Sequence, residues 1–307
     1  MSELRLYTHP ACLDHDTGPG HVECPDRLRR VVDALKRAFP DAEWCDAPRA
    51  LREDLMRVHS GESIARVLDR HPQAPREHLD TDTLLSPGSL EAALRAAGAG
   101  IGAVDWVLEG HRARAFCAVR PPGHHAEPEN AMGFCLFNNV AVAAAHALSS
   151  KLVRNIAIVD FDAHHGNGTQ AIFRHDPRVL YVSSHQADIY PRTGMDHTSG
   201  GGHILNHPLP AGCNAAHFRR IWQGELLPHV AGFAPDLLLI SAGFDAHRAD
   251  PLAGLMLEAE DFAWLTESLL RIADTSACGR VVSMLEGGYD LDALTESALA
   301  HVRALAA

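Results

Sequence analysis

Five short apolar runs, each of four or five residues, constrain this chain more than any other feature: Ala115–Val119, Ile156–Val159, Val179–Val182, Leu237–Ile240 and Val281–Leu285. They are mostly β-branched or leucine and carry almost no polar alternation, the pattern of strands covered on both faces. Helical patterns lie between them. The clearest is Leu90–Val107, with Ser89 as its capping residue and Gly110 after its end, and a second is expected over Asn139–Leu148. Strands alternating with helices predict an α/β fold, here a single three-layer αβα domain over residues 1–307 with a central, mostly parallel multi-stranded sheet. No repeat, low-complexity segment or linker divides the 307 residues.

The unusual polar clusters all follow one of these runs, where an open α/β sheet collects its ligand-binding loops. Arg120-Pro121-Pro122-Gly123-His124-His125 follows the first and Asp160-Phe161-Asp162-Ala163-His164-His165-Gly166-Asn167-Gly168 the second. Ser241-Ala242-Gly243-Phe244-Asp245 and Glu286-Gly287-Gly288-Tyr289 follow the last two. Asp160, Asp162 and His164 stand at i, i+2 and i+4, so an extended backbone would turn them to one face. A lone Asp-x-Asp is commonly a solvated turn. Directly after an apolar strand, however, burying several carboxylates without a cation would cost several kcal/mol. A catalytic zinc ion takes three protein ligands of oxygen and nitrogen and keeps one position for water. Asp162 and His164 suit that set, with Asp245 from another strand end as the third.

Taken singly, the His124-His125 pair reads as ordinary loop histidine in a chain with 21 of them. Beside a metal, one ring can take a proton from water while the other stabilises charge, each held by an acceptor behind it. A Gly-Gly turn followed by an aromatic is commonplace too, but the Tyr289 hydroxyl after a strand could donate to the oxyanion of an amide under attack.

Composition narrows the partners. A formal charge of −12 without a basic run argues against nucleic acid and suits a cationic substrate. The amino terminus lacks a leader pattern and the Ala-rich stretch Val140–Leu148 is too short to span a bilayer, so a cytoplasmic protein without membrane association is expected. The seven cysteines are scattered and odd in number, which points to reduced thiols, including Cys12 and Cys24 in one loop-like stretch. Nothing in the sequence sets an oligomeric state.

Together these motifs resemble the zinc-dependent histone deacetylase family, more closely its class II branch and the bacterial deacetylase-like amidohydrolases of the arginase-deacetylase fold. The resemblance runs from His9-Pro10 and Pro25-Asp26-Arg27-Leu28 through Asp82 and Ser86-Pro87-Gly88 to Gly133-Phe134-Cys135 and the final Gly-Gly-Tyr. It implies that Asp162, His164 and Asp245 hold one zinc ion (iron(II) being the other candidate), that His125 is general base and acid, and that His124 is an electrostatic partner backed by Asp160. Asn167 stands behind His125 where class I relatives have Asp, and Tyr289 polarises the carbonyl. Phe134 and Tyr190 would wall the channel for the acylated side chain, Gly133 and Gly288 would flank the amide, and Asp82 would grip substrate backbone at the rim. A structural potassium ion is implied near Asp160, Asp162, His164, Ser183 and Ser184.

The stretch His21-Val22-Glu23-Cys24-Pro25 departs from the family's His-Pro-Glu-x-Pro. Gly166 replaces the Asp that brings a second metal to arginase relatives, which points to a mononuclear deacylase. The substrate implied is an acyl-lysine side chain on protein or peptide. The alternative is a small acetylated polyamine, which the acidic stretch Asp14-His15-Asp16, expected near the entrance, would attract, and a binding module without turnover is a third reading.

Overall fold

The computed structural model describes residues 3–70 and 75–307, so Met1 and Ser2 of the amino terminus read above lie outside the described residues. Eight parallel strands form the centre. In chain order they are β1 (Glu3–Thr8), β2 (Glu43–Asp46), β3 (Ala113–Cys117), β4 (Ile156–Asp160), β5 (Val179–Gln186), β6 (Ile204–Leu209), β7 (Leu237–Ala242) and β8 (Val281–Leu285). Across the sheet they run β2-β1-β3-β8-β7-β4-β5-β6, and the short Thr198–Ser199 strand adds antiparallel to β6. The expected α/β layering and mostly parallel sheet are therefore present.

The five apolar runs all become strands of the buried centre, the last with the bounds expected, Val281–Leu285, and the other four with shifted ends. β3 spans Ala113–Cys117 rather than Ala115–Val119, because Arg114 is tolerated inside: its guanidinium donates to the Leu305 carbonyl at 3.0 Å and reaches Asp274 at 3.4 Å. β5 continues to Gln186 because Ser183, Ser184 and His185 are buried with partners of their own. Three strands escaped the apolar criterion. β1 and β2 are half covered, and β6 contains Pro208, which an outlying strand accepts and a central one would not.

Helices α1 (Pro25–Ala38), α2 (Ser89–Glu109), α3 (Asn139–Ser149), α4 (Ala259–Ser276) and α5 (Leu291–Ala306) supply the outer layers. α2 packs with α3, and α5 packs with both α1 and α4. Asn138 caps α3 by accepting from the Ala141 N–H. Ser89 does not cap α2. It is the first residue inside that helix, after Gly88, and its hydroxyl accepts from the Ser86 N–H and meets the buried His15 ring, each at 2.7 Å. All seven cysteines are free thiols. Among the described residues no helix is long and apolar enough to cross a membrane.

α2 lies against the Ala47–Ala50 segment so closely that a Cβ on Gly98 would stand 2.0 Å from the Pro48 carbonyl oxygen. Gly98→Ala is thus expected to destabilise the fold by about 1–3 kcal/mol, read as a lower urea midpoint. Gly224, exposed in a helical turn with open space around it, is the control: alanine there should be neutral or stabilising by up to about 1 kcal/mol.

Candidate active site

The carboxyl ends of β3, β4, β5, β7 and β8 deliver the polar clusters to one edge of the sheet. β4 ends at Asp160, so the extended backbone expected through His164 gives way to two successive turns. Asp160 Oδ1 accepts from the Asp162 N–H at 3.2 Å, and Asp162 Oδ1 accepts from the His164 N–H at 2.8 Å. These turns separate the three side chains. Asp162 and His164 meet Asp245, all buried, with one ligand atom of each within 4.8 Å of the others. Asp160 turns away to serve His124.

Asp245 Oδ2 lies 2.8 Å from His164 Nδ1 and its Oδ1 accepts from the Ala163 N–H at 2.7 Å, while Asp162 Oδ2 accepts from the Gly287 N–H at 2.9 Å. Burial opposes charge on His164, but Asp245 and Asp162 outweigh it and push the imidazole up to about 10. Burial and the charge of Asp162 push Asp245 up to about 7. Two carboxylates and an imidazole this close form a trio with an excess of negative charge, and their oxygen and nitrogen donors are those zinc prefers. The residues fit a divalent cation.

The two histidine rings lie against each other, centroids 4.0 Å apart and planes tilted by 42°. His124 Nδ1 lies 3.0 Å from Asp160 Oδ2, and that same oxygen accepts from the Tyr181 hydroxyl at 3.0 Å. Burial works against the cation at His124, yet Asp162 and Asp160 raise its pKa well above the ordinary histidine value. His125 is the reverse: burial, with the neighbouring His124 and His164, holds it well below that value. Asn167 fixes its tautomer. The Asn167 amide nitrogen donates to Glu127 Oε1 at 2.7 Å, so Oδ1 is left to accept from His125 Nδ1–H at 2.8 Å, and Nε2 is free as an acceptor.

Above these groups opens a cleft of about 250 Å³, lined by His125, His164 and Tyr289 at its polar end and by Phe134, Ile189, Tyr190 and Leu252 along its walls. Asp82 is the one carboxylate in that lining, and Gly133 completes it. Met132 and Cys135 exchange backbone hydrogen bonds across a two-residue turn in which Gly133 (φ 57°) and Phe134 (φ 67°) are both left-handed. A Cβ on Gly133 would stand 2.5 Å from the His125 ring, so only glycine fits. Phe134 accepts a conformation costing on the order of 1 kcal/mol. Its N–H is held by the Thr83 hydroxyl at 3.0 Å.

With fold and geometry in view, the histone deacetylase domain pattern matches residues 21–305. The chain belongs to the histone deacetylase family. It is 36% identical over 332 residues to histone deacetylase 14, chloroplastic, of Arabidopsis thaliana, covering 99% of this chain and 77% of that protein. It is 37% identical over 302 residues to a histone deacetylase-like amidohydrolase of Pseudomonas aeruginosa, covering 91% of this chain and 79% of the relative. Among solved structures it resembles the crystal structure of the HDA15 HD domain, with a TM-score of 0.91, 34% identity and coverage of 99% and 88% of the two chains.

As a hydrolase of this family the chain has supports that its motifs did not announce. The departing His21–Pro25 stretch places Glu23 in the interior, where its carboxylate accepts from Arg120 Nε at 2.5 Å and Nη2 at 2.6 Å and from Arg27 Nη1 at 3.0 Å. Arg27 also donates to the Gly288 carbonyl at 2.6 Å and lies 4.9 Å from the centre of the Tyr289 ring. Asp250 Oδ2 accepts from the Tyr289 N–H at 2.7 Å. Arg27, Arg120 and Glu23 lie within stretches that the sequence singled out, but no residue pattern said that they meet, and Asp250 carried no signal.

One expectation changes. Asp14-His15-Asp16 contributes nothing to the cleft lining: His15 is buried against Ser89 and Asp16 pairs with Arg76 at 2.6 Å. Gly166 is more than the loss of a ligand, since a Cβ there would stand 2.3 Å from Asp160 Oδ2. Ser183 pairs with Asp160 in the β4–β5 register, its hydroxyl bonds the His185 ring at 2.9 Å, and that of Ser184 accepts from the Trp222 indole N–H at 3.1 Å.

Asn167→Asp would put a carboxylate where His125 now meets a neutral amide, favouring the imidazolium. The expected result is a raised His125 pKa, so that the ring stays protonated to higher pH than in the wild type, followed by NMR titration of the imidazole.

Proposed function

We propose that this chain removes acetyl or related acyl groups from lysine ε-amines, with one zinc ion held by Asp162, His164 and Asp245. The observation that carries the reading is the buried Asp-His-Asp trio at the closed end of an apolar-walled cleft, with two imidazoles of opposed pKa beside it. When bound, zinc would polarise the scissile carbonyl and make the attacking water more acidic.

The chain's own residues do the rest. His125, its Nδ1–H committed to Asn167, offers Nε2 to take the proton from water and return it to the leaving amine. His124, backed by Asp160, holds positive charge beside the developing oxyanion. Burial raises the Tyr289 pKa well above the ordinary tyrosine value, so its hydroxyl stays protonated as a donor to the same oxyanion. Phe134 and Tyr190 wall the polymethylene stem, Gly133 offers its carbonyl to the amide, and Asp82 accepts from substrate backbone at the rim; Gly288, outside that lining, has its carbonyl on Arg27 and would flank the amide only through its backbone next to Tyr289. A potassium ion near Asp160, Asp162, His164, Ser183 and Ser184 would be held largely by main-chain oxygens. Seven free thiols suit a reducing, cytoplasmic setting.

A small acetylated polyamine is the second reading, because Asp82 could pair with its distal ammonium. Lysine is preferred because the remaining outer lining, Ile189, Tyr190 and Leu252, has no further carboxylate to hold that charge.

The test compares kcat/KM of zinc-loaded enzyme on an acetyl-lysine peptide and on acetylputrescine. The peptide is expected to win, and an acetylputrescine preference would replace the lysine reading with the polyamine one. Tyr289→Phe and His125→Ala should each lower kcat by about 10²-fold or more. Asp245→Ala should weaken zinc binding by at least about a hundredfold, read by metal analysis after dialysis. Iron(II) loading in parallel decides between the two metals.

A further inference from the structure

We propose that Glu286 is a positioning residue that sets the spacing between the His124–His125 pair and Tyr289, acting through hydrogen bonds it accepts rather than through its charge. The proposal rests on the catalytic reading of those three residues given above.

Glu286 is fully buried at the end of β8, three residues before Tyr289. Its Oε2 accepts from the Gly123 N–H at 2.7 Å and the His124 N–H at 3.2 Å, and its Oε1 accepts from the Ser241 hydroxyl at 3.1 Å. Its own N–H donates to the Ala242 carbonyl at 3.0 Å, and its carbonyl accepts from Arg27 at 2.6 Å. One residue thus ties the loop after β3, which carries the histidine pair, to the ends of β7 and β8, from which the chain runs on to Asp245 and to the tyrosine.

The Pro121–His124 turn is pressed onto this carboxylate from the other side. A Cβ on Gly123 would stand 2.5 Å from the Asn139 nitrogen, and the Asn139 side chain donates to the Pro121 carbonyl at 3.0 Å. The turn has no room to shift toward α3, so its position relative to β8 depends on the Glu286 side chain. Removing the acceptor would strand two buried N–H groups, which do not stay unpaired without rearrangement. The rearrangement would move the two imidazoles relative to Tyr289, and a misplacement of about 1 Å can cost a hundredfold in rate.

All three side-chain partners are neutral donors, and the Ser241 hydroxyl can accept as well as donate. A glutamine can therefore reproduce the pattern, its carbonyl on the two amides and its NH₂ on Ser241. Leucine, of similar size, cannot.

The experiment measures kcat, KM and zinc content for wild type, Glu286→Gln and Glu286→Leu on an acetyl-lysine peptide, with hydrogen exchange at the Gly123 and His124 amides. Glutamine should keep kcat within about threefold, whereas leucine should lose about a hundredfold in kcat with KM and zinc content little changed and faster exchange at both amides. Wild-type kcat in the leucine variant overturns the proposal, and so does a glutamine variant that falls as far as leucine, which would assign the effect to charge. Should the leucine protein fail to fold, Glu286→Asp replaces it: its carboxylate is one methylene short of the two amides, the same loss is expected, and a wild-type rate overturns the proposal. Tyr289→Phe and His125→Ala, measured alongside, fail separately: undiminished activity in those variants would overturn the catalytic reading itself.

Discussion

Four carboxylates, those of Asp160, Asp162, Asp245 and Glu286, lie buried within a few ångströms of the carboxyl edge of one sheet, and the rest of the structure is arranged around making them tolerable. Each accepts from backbone N–H groups, Asp160 from Asp162 of its own loop and the other three from a different loop: Asp162 from Gly287, Asp245 from Ala163, and Glu286 from Gly123 and His124. The same bonds that satisfy the carboxylates therefore hold the active-site loops together. Glycine is required where the packing is densest. A Cβ on Gly243 would stand 1.9 Å from Asp162 Oδ2 and one on Gly287 2.4 Å from Asp245 Oδ2.

This negative interior also explains why two adjacent histidines differ. His124 faces Asp160 and Asp162 and gains more from them than it loses by burial, whereas His125 faces a neutral asparagine and two imidazoles and gains little. The opposite pKa directions of the two rings follow from these partners acting on two buried imidazoles. Behind Tyr289 the sign reverses, because Arg27 and Arg120 bring two guanidinium groups to the single carboxylate of Glu23. Such an ionic knot adds little net stability, since desolvation consumes much of its attraction, but it fixes the geometry of the segment that carries the tyrosine.

Much of this was legible in the chain. Apolar runs located the five central strands, and the polar residues that follow them marked the site, because parallel strands buried on both faces must be continuously apolar and their loops must all emerge at one edge. The outer strands β1, β2 and β6 were not legible, since one-sided burial and edge position relax that requirement. Ser89 looked like a helix cap because caps are read from residue type, yet its hydroxyl bonds Ser86 and His15 from inside the helix.

Residue types and their spacing by themselves determined the set of candidate donors, an Asp-x-His pair with a distant aspartate, two histidines and a tyrosine, since these depend on side-chain identity and strand-end placement. Which carboxylate serves which partner was decided only by tertiary structure. Asp160 and Asp162 are the same residue two positions apart, and only the turns after β4 send one to His124 and the other to His164 and Asp245. The tautomer of His125, the burial of Glu23 between two arginines and the reach of Glu286 to Gly123 and His124 belong to the same class. Each depends on contacts between residues tens to more than a hundred positions apart, and no local pattern encodes a distance that only the packed sheet creates.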